Sequence, residues 1–328
     1  MPSPNSTFTE LVTTTLRNHR KEIVDNISKN NALLRRLDMK GRKVYEDGGN
    51  SIVAGHDYQE NGTFQRFSGY DTLNISASDV LTAAEYNWKN AAIHVTASGE
   101  EIRKNSGSDT RIANLVEERI NNAIRTAKNN LSSDIYSDGT ASNQINGLQA
   151  ICPDTAGGTL GGISGTTYTY WRAALQSAAS PITGSAITLS ESTFEKFIRQ
   201  LYIALTRGDD KPDLLILDNN YYELFEGSQV SLKQYTADTS TGKNNANAGF
   251  VSLKYKTCDV FHDGNSGIPS SHGYMLNTDY LKLVVHRDAD WADVEDQRPI
   301  NQDSVVIPMI WMGNLVCSNR SLQGVAKA

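Results

Sequence analysis

The residues best suited to metal chemistry form the acidic run 288–296. Its carboxylates are spaced along the chain much as the oxygen ligands of a calcium loop are. A calcium loop needs an oxygen ligand at its fifth position and a glycine at its sixth, where this run has Ala292 and Asp293. We therefore interpret residues 288–303, which hold six acids against Arg298 alone, as a solvated acidic loop or an intersubunit partner surface, with metal binding as the less favoured alternative.

Two other groups have part of a binding site and lack the rest. The glycine-rich stretch from Gly157 has no Lys-Ser/Thr pair to grip a phosphate, and no serine stands in a G-x-S-x-G nucleophile motif. His262 and His272 lie in a Gly/Ser-rich stretch without cysteine or carboxylate at zinc spacing, which favours a surface loop. The three cysteines are far apart and suit reduced, buried side chains: Cys152, Cys258 and Cys317. The sequence predicts no catalytic residue, no cofactor and no metal site.

The first quarter of the chain combines a helix with a glycine-rich ribbon. Apolar residues at helical spacing predict a helix over 7–27, and the following segment breaks at Gly41. Residues 44–76 are rich in Gly, Asn, Asp and aromatics, and Asn61-Gly62 is a strong hairpin-turn signal. This ribbon has too few apolar residues to bury itself, so we expect it to lie on another surface, which is a first indication of obligate assembly. Its β-like runs are 51–54, 63–67 and 72–75.

The middle of the chain predicts a strand, a long helix and then an α/β unit. Residues 80–97 alternate like a strand, and an apolar stripe from Ile112 to Ile135 predicts a spine helix about 40 Å long. Residues 140–290 predict the α/β unit. Its expected helices are 170–177, a helix from the capping box Ser192–Glu195 to Gly208, and a short helix ending at Phe225. Its expected strands are 214–217, 250–255, 258–261 and 280–286, and the tail adds strands at 305–311 and 315–317.

The charge of the chain is distributed unevenly. The 328 residues carry a formal net charge of -6, but residues 1–43 hold nine bases against four acids and so carry +5. A basic segment on an acidic body indicates a surface that faces a polyanion or an acidic partner, and a solvated amphipathic helix explains the same charges equally well. No apolar run approaches the length of a membrane span, and the first residues lack the pattern of a secretory signal, so we expect a cytosolic protein.

The order of these elements resembles the Hong Kong 97-type capsid fold of tailed bacteriophages. The resemblance covers nearly the whole chain and is most specific in residues 80–107, in Asn146-Gly147-Leu148, and in the end from Asn301 to Gly324. It implies an α+β fold with an N-terminal arm, an extended β-hairpin loop, a peripheral domain with a long spine helix, and an axial α/β domain. The implied boundaries are 1–43 for the arm, 44–76 for the loop, 77–140 with 291–328 for the peripheral domain, and 141–290 for the axial domain.

The resemblance implies a major capsid protein that is not an enzyme. Such a protein forms hexamers and pentamers of an icosahedral shell around double-stranded DNA. The implied partners are copies of itself, a portal protein, packaged DNA contacted non-specifically, and no membrane. Because few residues precede the loop, we expect a separate scaffolding protein, if one is needed. Some family members cross-link a loop lysine to a neighbour, whereas Arg66 is the only base between Lys43 and Lys89 here, so we expect no cross-link. The implied location is the virion capsid, after assembly in the bacterial cytoplasm.

Two sets of residues follow as candidate contacts. The loop and the acidic surfaces that could receive it are predicted to form intersubunit contacts through Tyr58, Phe64, Arg66, Phe67, Glu100, Glu101, Asp293 and Glu295. The basic N-terminal segment is predicted to face the shell interior, a scaffold or DNA through Arg17, Arg20, Lys21, Arg35 and Arg36.

Two alternatives remain open from the sequence. One is an encapsulin-like nanocompartment with the same fold and an enzyme cargo, which the long loop and the preceding arm disfavour and which DNA inside purified particles would exclude. The other is a metal- or nucleotide-dependent enzyme built on residues 141–290, which a soluble monomer with measurable ligand binding would favour.

Overall fold

The fold is built around two large β-sheets. A computed structural model of the chain describes residues 31–100, 119, 122–123, 125–127, 129–155, 157–229, 253–263, 267–293 and 301–328. The predicted helix over 7–27 and the start of the predicted spine helix lie outside these residues. The described residues from 119 to 134 are helical, which confirms the second half of the spine helix.

The larger sheet has six strands. In order across the sheet they are β7 (Ala174–Ser177), β14 (Gly324–Lys327), β11 (His272–Leu276), β8 (Leu214–Leu217), β10 (Cys258–His262) and β9 (Leu253–Tyr255). Strand β8 is buried along its whole length, as the predicted strand 214–217 requires. Because side chains alternate along a strand, Leu214 and Ile216 enter one apolar core while Leu215 and Leu217 enter another.

Two helices cover one face of this sheet, α3 (Glu191–Leu205) and α4 (Asn219–Gln229). The apolar stripe of α3 is buried as the sequence predicts. The helix starts two residues earlier than expected, because Ser190 is the N-cap and forms the capping box with Thr193. The predicted capping role of Ser192 is therefore wrong.

The other large sheet has four strands, among them the longest of the described chain. In order they are β1 (Lys43–Glu46), β12 (Leu281–Asp293), β13 (Ser304–Cys317) and β4 (Lys89–Ser98). The alanines of the spine helix, Ala123 and Ala127, are buried, and Ala123 packs with Val95 and Met309 of this sheet. The acidic run does not start as a loop, because β12 continues to Asp293 and pairs with β13 beyond an irregularity after Val285.

Smaller elements join the two sheets. Strands β2 (Ile52–Asp57) and β3 (Leu81–Tyr86) form an antiparallel ribbon, and β5 (Thr159–Leu160) pairs with β6 (Ile163–Ser164) across a glycine turn. Helix α1 (Ala32–Met39) packs on the core through Leu33 and Leu37, and α2 (Leu148–Ile151) is a single turn.

Two predicted elements are wrong in a way that tertiary pairing explains. The helix expected over 170–177 is a 3₁₀ turn (Thr169–Trp171) followed by β7, because residues 174–177 pair in parallel with the chain end at β14. The hairpin expected around Asn61-Gly62 has no strands at 63–67 or 72–75. The strand that returns to β2 is β3, so the segment between them is much longer than a hairpin turn.

Candidate functional site

The segment between β2 and β3, residues 58–80, is the most exposed part of the described chain. It contains neither helix nor strand, and we refer to it as the 58–80 loop. Five large apolar side chains on it are each more than half exposed to solvent: Phe64, Phe67, Tyr70, Leu73 and Ile75. Apolar residues scattered singly on a surface are ordinary, but a concentration of this kind marks an interaction site.

Local polar bonds, rather than packing, shape the 58–80 loop. The Gln65 side chain donates to the Thr72 carbonyl over 3.0 Å and accepts from the Asn74 amide over 3.3 Å. A turn at the tip is closed where the Asp71 amide donates to the Ser68 carbonyl over 2.9 Å. These bonds hold the two arms of the loop together without burying its apolar side chains.

The root of the ribbon, by contrast, is packed into the main core. Ile52, Ala84 and Tyr86 are buried there. The Tyr86 hydroxyl donates to the Cys317 carbonyl over 2.8 Å, and burial raises the pKa of Tyr86 well above its ordinary value. The ribbon therefore leaves the molecule from a fixed base.

The glycine-rich stretch holds one side of this base. The amide of Glu85 in β3 donates to the Gly161 carbonyl over 3.0 Å. Gly161 has a φ of 59°, and a Cβ there would lie 2.7 Å from the Ala84 Cβ. The glycine is needed for close packing against the ribbon, which explains the stretch without a phosphate.

An aromatic cluster packs on the same face of the ribbon, because Ala84 lies opposite Ala54 and His56 is two residues further along β2. The His56 ring stacks on Trp171 at 4.6 Å between centroids and 15° between planes, and Tyr58 lies 5.5 Å from Tyr170. Both ring nitrogens of His56 are buried without a hydrogen-bond partner. Burial lowers the pKa of His56 and outweighs the opposing effects of the Ala54 carbonyl and the Asp57 carboxylate.

Arg320 ties the chain end to the same region. Its side chain is fully buried and its guanidinium donates to the carbonyls of Ile151, Gly158 and Ala150 over 2.6, 2.9 and 3.2 Å. Burial lowers the pKa of Arg320. The sequence reasoning missed this residue, and its contacts lie 162 to 170 positions away along the chain.

The predicted intersubunit residues fall into two groups. Phe64, Arg66 and Phe67 are exposed on the 58–80 loop, and Glu100 is exposed beyond β4. Tyr58, the first residue of the 58–80 loop, is half-buried against Tyr170 beside the root. The remaining predicted contacts, Glu101, Glu295 and the side chain of Asp293, lie outside the described residues. Their intersubunit role stays a prediction.

The predicted interior-facing residues separate in a similar way. Arg17, Arg20 and Lys21 lie outside the described residues, and Arg35 is exposed on α1. Arg36 is half-buried and pairs with Asp213 at 3.3 Å and Asp259 at 3.0 Å. The charge of Arg36 therefore engages the chain's own carboxylates and docks α1, and its interior-facing role stays a prediction.

Further ion pairs complete the docking of α1. Lys40 lies 2.7 Å from Asp213, and Arg42 lies 2.7 Å from Asp279. Burial alone would raise the pKa of Asp213, but hydrogen bonds from Lys40 and Thr278 outweigh it and hold that pKa below its ordinary value.

The candidate metal ligands are engaged within the fold. His272 lies 3.0 Å from Asp154, and His262 contacts the Asn219 side chain at the end of β10. The described residues contain no cluster of three His, Cys, Asp or Glu side chains placed to hold a metal. All three cysteines are buried free thiols, as predicted. Among the described helices, none is long and apolar enough to cross a membrane.

Comparison with solved structures identifies the architecture. The "Cyanophage A-1(L) capsid asymmetric unit" aligns over 88% of this chain and 92% of its own, with a TM-score of 0.60 and 19% identity. The "Capsid of native GTA particle computed with C5 symmetry" aligns over 91% of this chain and 90% of its own, at 0.57 and 12%. "The capsid of Myoviridae Phage XM1" aligns over 89% and 91%, at 0.54 and 12%.

These likenesses rest on the fold, since the identities are low. No family model and no curated protein sequence matches the chain. The mixed helix-and-sheet architecture nevertheless aligns over 88–91% of the chain with these phage and GTA capsid structures. The chain therefore has the Hong Kong 97-type capsid fold that its sequence predicts.

Proposed function

We propose that this protein is the major capsid protein of a tailed bacteriophage. Copies of the chain would assemble as hexamers and pentamers into an icosahedral shell that encloses double-stranded DNA. The observation that carries the proposal is the 58–80 loop, whose five exposed apolar side chains extend from a packed root on a capsid fold. Burying such side chains against a neighbour would contribute roughly 25 cal/mol for each Å² removed from water.

The root explains how the loop would act between subunits. A ribbon fixed by Tyr86, Gly161 and Trp171 presents its loop in a defined direction, so less orientational entropy is lost on assembly. Arg66 is the only base on the 58–80 loop, which also supports a role in choosing an acidic partner surface.

The basic N-terminal segment supports an inward-facing role within the same proposal. Residues 1–43 carry +5, and Arg36, Lys40 and Arg42 are used in docking α1. Lys43 pairs with Asp290, and within this proposal bases that precede the described residues, including Arg17 and Arg20, would contact a scaffolding protein or packaged DNA. A portal protein would complete the shell, and the protein would be located in the virion after assembly in the host cytoplasm.

Electron microscopy and light scattering of the purified protein test the proposal. We expect closed particles with icosahedral symmetry, and nuclease-protected DNA in particles from infected cells. A folded monomer that persists at high concentration would refute the proposal. Icosahedral particles with an enzyme cargo and no DNA would support the nanocompartment alternative instead.

A matched pair of variants tests the role of the loop. Phe64 is 84% exposed on the loop and Ile203 is 63% exposed on α3, so Phe64→Ser and Ile203→Ser each remove exposed apolar surface without opening a core. We expect Phe64→Ser to reduce particle yield more than Ile203→Ser, with both subunits remaining folded by circular dichroism. Equal yields would show that the loop does not drive assembly.

A further inference from the structure

We propose that Asn61 is a self-modification site. Its side chain is converted to aspartate or isoaspartate by the neighbouring backbone, and this adds a negative charge to the 58–80 loop. The sequence contains two Asn-Gly pairs, Asn61-Gly62 and Asn146-Gly147. The structure places them in opposite environments, so one pair can react and the other serves as an internal control.

The reaction needs only water and the peptide itself. The backbone nitrogen of the following residue loses its proton to water and forms a bond to the side-chain carbonyl carbon. The bond from that carbon to the amide nitrogen breaks, and this nitrogen takes a proton from water and leaves as ammonia. Water then opens the resulting five-membered imide at either carbonyl, which gives aspartate or isoaspartate. A glycine in second place favours the ring because no Cβ restricts the backbone around the attacking nitrogen.

The surroundings of Asn61 permit this geometry. Asn61 and Gly62 are both exposed, in a segment without helix or strand. The Thr63 amide and hydroxyl both donate to the Asn61 side-chain oxygen, over 3.0 and 2.7 Å. These bonds fold the side chain forward over the next peptide group, and they draw electron density from the carbonyl carbon that is attacked.

The surroundings of Asn146 oppose the same reaction. The backbone amide of Asn146 donates to the side-chain oxygen of Asn314 over 2.9 Å, and Gly147 is buried as the N-cap of α2. A Cβ on Gly147 would lie 2.5 Å from the backbone of Asp134 and Ser137, so no space exists for the backbone to turn. The attack there requires local unfolding first.

The product would change the electrostatics of the loop. Asn61 follows Glu60, and Asp57 lies at the end of β2, so a new carboxylate would add a like charge to an already acidic stretch. This consequence, unlike the reaction itself, rests on the proposed shell function. Unassembled subunits would lose competence with age, and burial of the loop between subunits would protect Asn61.

The reaction is tested on unassembled subunits, so its outcome does not depend on shell formation. Purified protein is incubated at mildly alkaline pH and digested, and the two Asn-Gly peptides are compared by mass spectrometry for replacement of amide by carboxyl. We expect Asn61 to convert at least about tenfold faster than Asn146, because the buried pair reacts only after local opening. Equal rates, or no conversion at Asn61, would overturn the proposal.

Gly62→Ala is the matched control for the chemistry. A Cβ at Gly62 meets no atom within 4 Å, so the substitution is accommodated without strain from packing. We expect it to slow conversion at Asn61 by about tenfold, because the methyl group restricts the attacking backbone nitrogen. An unchanged rate would show that a different route, such as direct hydrolysis, acts at Asn61.

The link to assembly is tested with Asn61→Asp and with intact particles. We expect Asn61→Asp to assemble less well than Gly62→Ala, and Asn61 to convert several-fold more slowly in particles than in free subunits. Equal conversion in both states would overturn the protection by assembly while leaving the reaction established. Absence of particles for the unmodified chain would instead overturn the proposed function.

Discussion

The root and the tip of one ribbon differ in almost every physical respect. At the root, the buried Tyr86 hydroxyl bonds to the Cys317 carbonyl, β3 bonds to Gly161, and His56 of β2 stacks on Trp171. On the 58–80 loop, Phe64 and Ile75 are almost fully exposed and the bonds that remain are local. The root stabilises the single subunit. The apolar side chains of the loop do not, because they are exposed.

This difference separates the residues that stabilise the folded subunit from the residues that do not. A single subunit would be more soluble with polar residues on the loop, so exposed apolar residues there indicate a partner. Substitutions at the root should therefore change the free energy of unfolding of the subunit, and substitutions on the loop should not. Four predictions test this division, in order of the expected effect on the isolated subunit.

The largest effect is expected for Arg320→Ala. The substitution leaves the buried Ile151 carbonyl without its guanidinium donor, removes two further bonds to the carbonyls of Gly158 and Ala150, and opens a cavity, which should cost about 3 kcal/mol or more. Arg172→Ala is the control, since Arg172 also donates to backbone carbonyls, those of Gly165 and Thr166, but is only half-buried. Denaturant unfolding of unassembled subunits measures both. Equal losses would show that burial of Arg320 is not what makes it important.

A smaller effect is expected for Gly161→Ala. Gly161 and Gly162 both have positive φ, 59° and 78°, so alanine at either position costs about 1–2 kcal/mol of backbone strain. Only the Cβ at Gly161 meets the ribbon, 2.7 Å from Ala84, while that at Gly162 meets nothing within 4 Å. The difference between the two variants in thermal unfolding should be about 1–3 kcal/mol. Identical unfolding would mean that the ribbon does not need this close approach.

These two root contacts also show what the sequence could predict. Strand 214–217, helix α3 and the second half of the spine helix follow from periodicity, which acts over short distances along the chain. Arg320 reaches carbonyls more than 160 positions away, and no local pattern predicts such a contact. The strand at 174–177 was predicted as a helix for the same reason, since its partner is β14 at the chain end.

The candidate site was predicted in outline rather than in detail. Composition predicts that residues 44–76 cannot bury themselves, which holds for the exposed Phe64, Arg66 and Phe67 of the loop but not for Ile52 at the root. The position of the second strand was wrong, because Asn61-Gly62 is a hairpin signal only when both flanking segments find ladder partners. The ladder partner of β2 is β3, with the whole 58–80 loop between them.

The next prediction concerns pH at the root. The pKa of His56 is lowered in the folded chain from its ordinary value of 6.5, so the folded state favours neutral His56. This contribution is complete above about pH 6.5 and is lost as the pH falls below it, because the unfolded chain then binds the proton more tightly. Titratable neighbours of the ring are Asp57 and Tyr170, and the stacked ring is Trp171.

Hydrogen exchange across the ribbon measures this effect. Between about pH 8 and about pH 5 we expect amide protection in 52–57 and 81–86 to fall, after correction for intrinsic exchange rates. His56→Phe keeps a ring against Trp171 but cannot titrate, so its ribbon should lose less protection over the same range. Parallel losses in the two proteins would assign the pH dependence to another group.

The smallest effect on the isolated subunit is expected on the 58–80 loop, and there the comparison can be broken. Phe64→Ala and Arg66→Ala should each change the free energy of unfolding of the subunit by less than about 0.5 kcal/mol, because both side chains are exposed. In assembled particles we expect both to lower the melting temperature, as Ile203→Ala should not.

Arg66 is predicted to be the charged anchor, and an interface charge pair that loses one partner costs about 2–5 kcal/mol, against about 0–1 kcal/mol for an exposed pair. If Phe64→Ala lowers particle melting and Arg66→Ala does not, the contact is apolar and the anchor is wrong. If both variants destabilise the subunit itself, the loop packs within its own chain and the division between root and loop fails.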